Sequence, residues 1–109
     1  MEKRRPNKKN DYDLYNLLFK KESSGEYVFK KHAKLRQKDR SISDLDILGI
    51  LVGKKNKKRR RNKGKDKFEN KHQDWNYCIE GLNLENRKIR IIISFEDNLL
   101  LIITAMWID

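Results

Sequence analysis

The sequence predicts an α+β domain in which N-terminal helices pack on a C-terminal antiparallel sheet. Two observations lead to this fold class. Apolar residues follow a helical period up to residue 53, and after residue 74 they alternate or run continuously as they do in strands. With 109 residues, 37% of them hydrophobic, neither half holds enough apolar side chains for a core of its own. We therefore expect one domain over residues 11–109, preceded by a basic arm over residues 1–10.

Two helices and a short extended piece are predicted before residue 40. The first helix begins at Asp11 and ends before Gly25, and its core face carries three leucines, Leu14, Leu17 and Leu18. Residues 27–29 are predicted to be extended. The second helix, over residues 30–38, is mainly basic and has few apolar contacts, Ala33 and Leu35.

The third helix has the strongest local signals. Ser43 is a favourable N-cap, and Asp46 three residues later completes a shortened capping box. Ile42 and Ile47 are spaced as a hydrophobic staple, and Gly53 suits the position after the last helical turn. The predicted core stripe of this helix is Leu45, Leu48, Leu51 and Val52.

Three strands are predicted in the second half. Residues 75–80 alternate between apolar and polar types, which is typical of a strand with one face in water. Lys88–Phe95 and Leu99–Trp107 are rich in Ile and Leu on both faces, so we expect central strands covered by helices. Asn and Asp residues at 83–86 and 96–98 supply the turns of a meander.

Charge is distributed very unevenly. The chain has 27 Lys and Arg against 16 Asp and Glu, a net charge of +11; residues 1–67 carry +14 and residues 68–109 carry −3. Residues 54–67 include ten Lys or Arg and no apolar residue, so we expect a basic loop or an edge hairpin there. Such a run attracts a phosphate backbone by counterion release, although it is also what a solvated, solubilising loop looks like. The predicted RNA-binding residues are Lys54, Lys55, Lys57, Lys58, Arg59, Arg60, Arg61, Lys63, Lys65, Lys67 and, on the second helix, Arg36.

Several classes of protein are excluded by what the sequence lacks. Cys78 is the only cysteine, so there is no disulfide framework and no cysteine zinc site, and neither a metal nor a cofactor is expected. No apolar stretch of a secretory signal follows Met1, and the longest apolar run, Leu99–Ile103, is too short to span a bilayer. These features predict a cytoplasmic protein without a membrane partner.

The residues also suggest a site for cleaving RNA without a metal. That reaction needs a base for the 2′-hydroxyl, a cation for the charge on the phosphorane, and a proton donor for the leaving oxygen. His72, Arg90 and Tyr77 have the chemistry for these roles if the sheet brings them together, with Tyr77 and Arg90 on adjacent strands facing the same way. The alternatives are that Tyr77 is a sheet aromatic and that Arg90 pairs with Glu80 across two strands. His32 is a weaker candidate, since a histidine near a helix start is more often a surface residue.

The segment from Phe29 to Ile42 resembles the opening of a known bacterial domain. Phe29, His32, Ala33 and Arg36, followed by Asp39-Arg40-Ser41-Ile42, resemble the F-x-x-H-A-x-x-R…E-R-G-I opening of a small domain of unknown function that is related to RelE-like toxins. Asp and Ser stand at two positions where that opening has Glu and Gly.

The chain is also similar to the MqsR family of mRNA-cleaving toxins. Residues 1–6 resemble the M-E-K-R-x-P start of that family, and residues 72–77 resemble its strand entry. The resemblance implies a RelE/MqsR-like fold and makes Gln73, Tyr77 and Arg90 candidates for the nuclease site. A Tyr-Lys pair of that family falls near Lys67-Phe68, where the Tyr is a Phe.

Together these observations predict a toxin of a type II toxin–antitoxin system, an endoribonuclease whose substrate is mRNA, free or on the ribosome. Its expected protein partner is an acidic antitoxin that covers the positive surface. The alternative is a non-enzymatic nucleic-acid-binding module in which the basic run is the whole functional surface.

Overall fold

Three helices and a six-stranded mixed sheet make up the computed structural model, which describes residues 5–53 and 59–109. In chain order they are α1 (Asp11–Ser24), β1 (Tyr27–Phe29), α2 (Lys31–Arg40), α3 (Asp44–Val52), β2 (Arg60–Arg61), β3 (Lys67–Glu69), β4 (Asp74–Leu82), β5 (Lys88–Glu96) and β6 (Leu99–Trp107). A single turn of 3₁₀-helix, Lys63–Lys65, separates β2 from β3. The α+β prediction is confirmed.

The sheet has the order β1-β6-β5-β4-β2, and β3 also pairs with β4. All pairs are antiparallel except β1 with β6, which makes the sheet mixed rather than purely antiparallel. The parallel strand β1 lies between α1 and α2 in the chain and occupies the sheet edge beside β6. The β5–β6 connection is a two-residue turn in which Asp97 and Asn98 both have positive φ, the backbone that a type I′ hairpin requires.

All three helices pack on one face of the sheet. Residues of α1 and α3 (Leu14, Leu18, Ile47, Ile50, Leu51) share a buried cluster with strand residues that lie side by side across β4 and β5, among them Ile79, Ile91 and Ile93. We call this side the core face. The opposite side, the outer face, carries Cys78, Glu80, Arg90, Ile92 and Ser94, because side chains alternate between faces along each strand.

The α3 caps are confirmed in detail. The Ser43 hydroxyl accepts a hydrogen bond from the Asp46 amide at 3.0 Å, and the Asp46 carboxylate accepts one from the Ser43 amide at 3.2 Å. Gly53 ends the helix with φ 70°. The predicted core stripe is wrong at Leu45, which is 81% exposed; Ile47, Ile50 and Leu51 are the buried positions. Leu35 of α2 is likewise exposed, while Ala33 is buried.

The expectation that β4 has one face in water is also wrong. All five residues from Tyr77 to Gly81 are buried, so the polar positions Cys78 and Glu80 are enclosed as well. The segment that joins β2 to β3 contributes to this burial. Its Asn62 donates to the Glu80 carboxylate on the outer face, and its Asp66 accepts from the Cys78 amide at the edge of the strand.

The different burial of Leu45 and Ile47 gives a direct test of how α3 is oriented. Ile47→Ala, which truncates a buried side chain, should lower the free energy of unfolding by about 2–5 kcal/mol through lost burial and a cavity. Leu45→Ala should change it by less than about 0.5 kcal/mol, as exposed substitutions do. Urea unfolding of the two variants measures both values, and equal losses would contradict this orientation of the helix.

Candidate nucleic-acid interface

A row of charged side chains crosses the outer face at Glu80. The strand register places Arg60 of β2 opposite Glu80, and Glu80 opposite Arg90 of β5. The Glu80 carboxylate accepts a hydrogen bond from Arg90 Nε at 2.8 Å through Oε2 and from Arg60 Nη2 at 3.2 Å through Oε1. Asn62 Nδ2 donates to Oε2 at 3.1 Å. One carboxylate therefore fixes two guanidinium groups on the strands that flank β4 on either side.

Exposure differs sharply within this row. The Glu80 side chain is 1% exposed, whereas those of Arg90 and Arg60 are 23% and 64% exposed. Among the described residues, the terminal nitrogens of Arg90 have no hydrogen-bond acceptor, since only its Nε donates to Glu80. The row thus presents two oriented cations to solvent above a buried anion, a geometry suited to a phosphate.

Glu80 is held in its ionised form. Burial opposes its ionisation, but hydrogen bonds from Arg90, Asn62 and Arg60 outweigh that effect, and the pKa of Glu80 lies below its ordinary value. The neighbouring Cys78 thiol behaves in the opposite way. Burial, and then the negative charge of Glu80, raise its pKa to about 11, so Cys78 is a packed thiol and not a nucleophile at neutral pH.

Tyr77 lies on the core face and not beside Arg90. It is buried, its ring lies under the Arg61 guanidinium, and its hydroxyl accepts a hydrogen bond from the Lys9 amide at 3.1 Å. Burial raises its pKa. The expectation that Tyr77 and Arg90 face the same way is wrong, because Arg90 pairs with Glu80, three residues along β4 from Tyr77, and an odd offset changes the face. The alternative of an Arg90–Glu80 pair is confirmed.

The other predicted catalytic residues are separated from Arg90. His72 and Gln73 lie in the turn between β3 and β4, where His72 Nε2 is 3.2 Å from Asn76 Oδ1 and Gln73 has a positive φ of 56°. Even the start of β4 is six residues from Glu80, or about 20 Å of extended strand. His32 is exposed on α2, in the helical layer. The structure brings none of these three together with Arg90.

The predicted RNA-binding residues divide into three groups. Lys54, Lys55, Lys57 and Lys58 lie outside the described residues. Arg59 and Arg61 point inward: Arg59 Nη1 donates to the Leu51 carbonyl at the end of α3, and the Arg61 side chain is 1% exposed. The exposed members are Arg60, Lys63, Lys65, Lys67 and, apart from them on α2, Arg36.

Arg61 is not available for RNA as the sequence predicted, because its side chain is buried in an ion pair. Its Nη2 lies 2.8 Å from Asp66 Oδ2, its Nη1 lies 3.1 Å from Asp11 Oδ1, and Nη1 also donates to the Lys9 carbonyl. The Asp66 side chain is fully buried, so the pair is internal. In a run of like charges, composition alone did not distinguish this buried arginine from its exposed neighbours. Its place opposite Ile79 on the core face explains the difference.

The sequence indicates Glu80 only as an ion-pair partner of Arg90, yet it organises the row. A glutamate is rarely buried unless it is paired, so its central place would be predictable for a strand known to be buried on both faces. The alternating pattern of β4 instead indicated a strand with one face in water. Elsewhere in the part of the chain that the structure describes, no three His, Cys, Asp or Glu side chains converge as metal ligands would.

The fold is that of a small α+β domain whose outer sheet face holds two arginines bound to the same glutamate. The chain belongs to the family of a domain of unknown function (DUF4258), which matches residues 29–107, from the end of β1 to the end of β6. No curated protein and no solved structure matches it. None of the helices in residues 5–53 and 59–109 has the length and apolar character needed to cross a membrane.

The state of Glu80 makes stability depend on pH in a defined direction. Because its pKa is lower in the folded chain than in the unfolded one, Glu80 stabilises the fold above the unfolded pKa, and this contribution is lost as pH falls through the folded value. We expect Glu80→Gln to have a lower free energy of unfolding than wild type at pH 7. The difference between the two free energies should narrow below about pH 4.5.

Urea unfolding between pH 3 and 7 measures this gap. Glu85→Gln is the matched control, because Glu85 is exposed in the β4–β5 turn and its carboxylate has no partner among the described residues. A gap for Glu80→Gln that stays constant with pH would contradict an ionised Glu80.

Proposed function

We propose that this protein is the toxin of a type II toxin–antitoxin pair, a cytoplasmic endoribonuclease that cleaves mRNA, free or ribosome-bound, without a metal. One observation supports the proposal most: Arg90 lies on the outer face with its Nε bound to Glu80, and its terminal nitrogens have no acceptor among the described residues. The net charge of +11 and the resemblance of the motifs to RelE-like and MqsR toxins support it further. An acidic antitoxin is the complementary partner for such a surface.

The chemistry assigned to Arg90 follows from its geometry. When a 2′-hydroxyl oxygen attacks phosphorus, negative charge grows on the non-bridging oxygens of the phosphorane. A guanidinium already fixed in position stabilises that charge without reorganising during the step. Glu80 positions Arg90 and does not act as the base, because its carboxylate is buried and occupied by three donors. Arg60 extends the cationic surface toward the next phosphate.

A second candidate function is favoured by a specific observation. Tyr77 is buried on the core face and His72 is distant, so among the described residues neither stands beside Arg90 to transfer a proton. This arrangement suits a non-enzymatic RNA-binding module, in which Arg60 and Arg90 bind phosphate and no bond is broken. The two functions differ in one readout, the appearance of new RNA ends.

Expression in a bacterium followed by mapping of RNA 5′ ends tests the nuclease. Wild type should arrest growth and produce new 5′ ends. Arg90→Ala should reduce cleavage by about 10²–10³-fold, the usual loss when a transition-state charge donor is removed. Its fold should persist, since Arg60 and Asn62 still satisfy Glu80. Lys88→Gln is the matched control, because it removes one charge from the same strand without touching Glu80.

Normal growth and unchanged RNA ends with soluble wild type would overturn the nuclease. RNA binding without cleavage would then identify the second candidate. Cleavage by folded Arg90→Ala at the wild-type rate would remove Arg90 from the mechanism.

Salt dependence tests where the phosphates bind. The exposed lysines Lys65 and Lys67 flank Asp66 at the sheet edge and have no carboxylate partner among the described residues. The plot of log affinity for single-stranded RNA against log salt should lose about 0.7 in slope for each of Lys65→Gln and Lys67→Gln. Arg36→Gln, on the helical side, should leave the slope unchanged. The reverse pattern would place the binding surface on α2.

A further inference from the structure

Two aromatic rings lie together near the turn between β3 and β4. Phe68 and Trp75 are directly opposite in the β3–β4 register, and their rings meet edge to face with centroids 5.6 Å apart. Both are only partly buried, and Trp75, on the same face of β4 as Tyr77, packs against the core cluster. Each has a cation of the N-terminal segment against its π face: Arg5 Cζ lies 4.6 Å from the Phe68 centroid, and Lys8 Nζ lies 4.8 Å from that of Trp75.

Residues 5–9 are held mainly through the backbone of Pro6 and Lys9, whose carbonyl accepts a hydrogen bond from Arg61. The Trp75 indole N–H donates to the Pro6 carbonyl at 2.7 Å, and the Lys9 amide donates to the Tyr77 hydroxyl. Lys8 is 3.9 Å from the Asp66 carboxylate, and Arg5 has no carboxylate partner within the described part of the chain. The segment is therefore firmly bound at Lys9, whereas the contacts of Arg5 and Lys8 with the rings are of the solvent-exposed, weak kind.

We infer that Phe68 and Trp75 form a base-stacking site for single-stranded RNA, which Arg5 and Lys8 cover when no RNA is bound. In the complex a nucleobase replaces the cation on each ring, and the two cations pair with the flanking phosphates. The inference rests on the proposed RNA binding and adds a base-contacting subsite to it. The exposed lysines Lys67 and Lys71, which flank the two aromatic positions on the hairpin, supply further charge for the backbone.

The exchange is favourable on physical grounds. Stacking of a base on an aromatic ring contributes more than a cation–π contact at an exposed site. No charge is stranded, because each displaced cation gains a phosphate and Asp66, which Lys8 leaves, keeps its ion pair with Arg61. The surface is sequence-tolerant, since every base has a π face. A purely structural role, in which the cations only fasten the N-terminal segment to the sheet, makes different predictions for substitutions at Trp75.

The experiment compares two dye-labelled oligomers of equal length, rU10 and an abasic ribose-phosphate 10-mer, by fluorescence anisotropy with the full chain. Wild type should bind rU10 at least about 5-fold more tightly than the abasic oligomer, the lower end of one base–aromatic stack. Phe68→Leu and Trp75→Leu should each reduce that preference. Tyr12→Leu, which removes an exposed aromatic ring of α1, should not change it.

Trp75→Phe separates stacking from a structural role. It keeps a ring but lacks the N–H that holds the Pro6 carbonyl, so it should retain the preference for rU10 and bind at least as tightly as wild type. A structural role predicts that Trp75→Phe weakens binding as Trp75→Leu does. Quenching of tryptophan emission by rU10, and not by the abasic oligomer, is a second readout that needs no substitution.

Equal affinity of wild type for the two oligomers would overturn the stacking site and leave RNA binding through Arg60 and Arg90 intact. Retention of the full preference by folded Phe68→Leu and Trp75→Leu would also overturn it. Failure of wild type to bind either oligomer would instead overturn the proposed function, and this inference with it.

Discussion

The buried ion pair between Arg61 and Asp66 connects more parts of this molecule than any other contact described above. Asp66 Oδ1 accepts a hydrogen bond from the Cys78 amide at the point where the edge strand is interrupted between β2 and β3. Arg61 holds the other oxygen, and it also binds Asp11 at the start of α1 and the carbonyl of Lys9. A buried charge left without its partner costs several kcal/mol, about 3–5 kcal/mol in typical cases, so these elements are tied together.

This pair also explains why one arginine of β2 is buried while the one before it is exposed. Successive side chains of β2 point to opposite faces of the sheet, and Arg61 lies on the core face. A buried guanidinium is tolerated there because it is paired with a carboxylate. Arg60, one residue earlier, falls on the outer face and reaches Glu80. Arg61 therefore joins parts of the fold, whereas Arg60 and Arg90 form a partly exposed cationic surface on the outer face.

Features that depend on local sequence were predictable. The capping box at Ser43, the end of α3 at Gly53, and the turn at Asp97 and Asn98 are set by a few adjacent residues, and each formed as expected. The packing of α3 was less so: Leu45 and Ile47 are equally apolar, and which of them faces the sheet depends on how the helix is rotated on its partners. β1 joined the sheet in parallel because of a tertiary contact that three residues do not encode.

The pairing of Arg90 was predictable from the sequence, but the arrangement of the residues around it was not. Arg90 stood out as a lone cation in an apolar strand, and its pairing with Glu80 was one of two alternatives. Tyr77 was grouped with Arg90 because both residue types suit the reaction, but strand register decides the face of a side chain, and a shift of one residue reverses it. Likewise, the burial of Arg61 depends on Asp66 five residues later, whose buried position no composition argument reveals.

An NMR titration of the arginine Nε–H signals with single-stranded RNA tests most directly the proposal that Arg60 and Arg90 on the outer face bind RNA. The signals of Arg60 and Arg90 should shift with a common affinity, because a phosphate changes the surroundings of both guanidinium groups. The Arg61 signal should remain in place, since its guanidinium is buried against Asp66. A shift at Arg36 on α2 with no change at Arg60 and Arg90 would contradict RNA binding by the outer face.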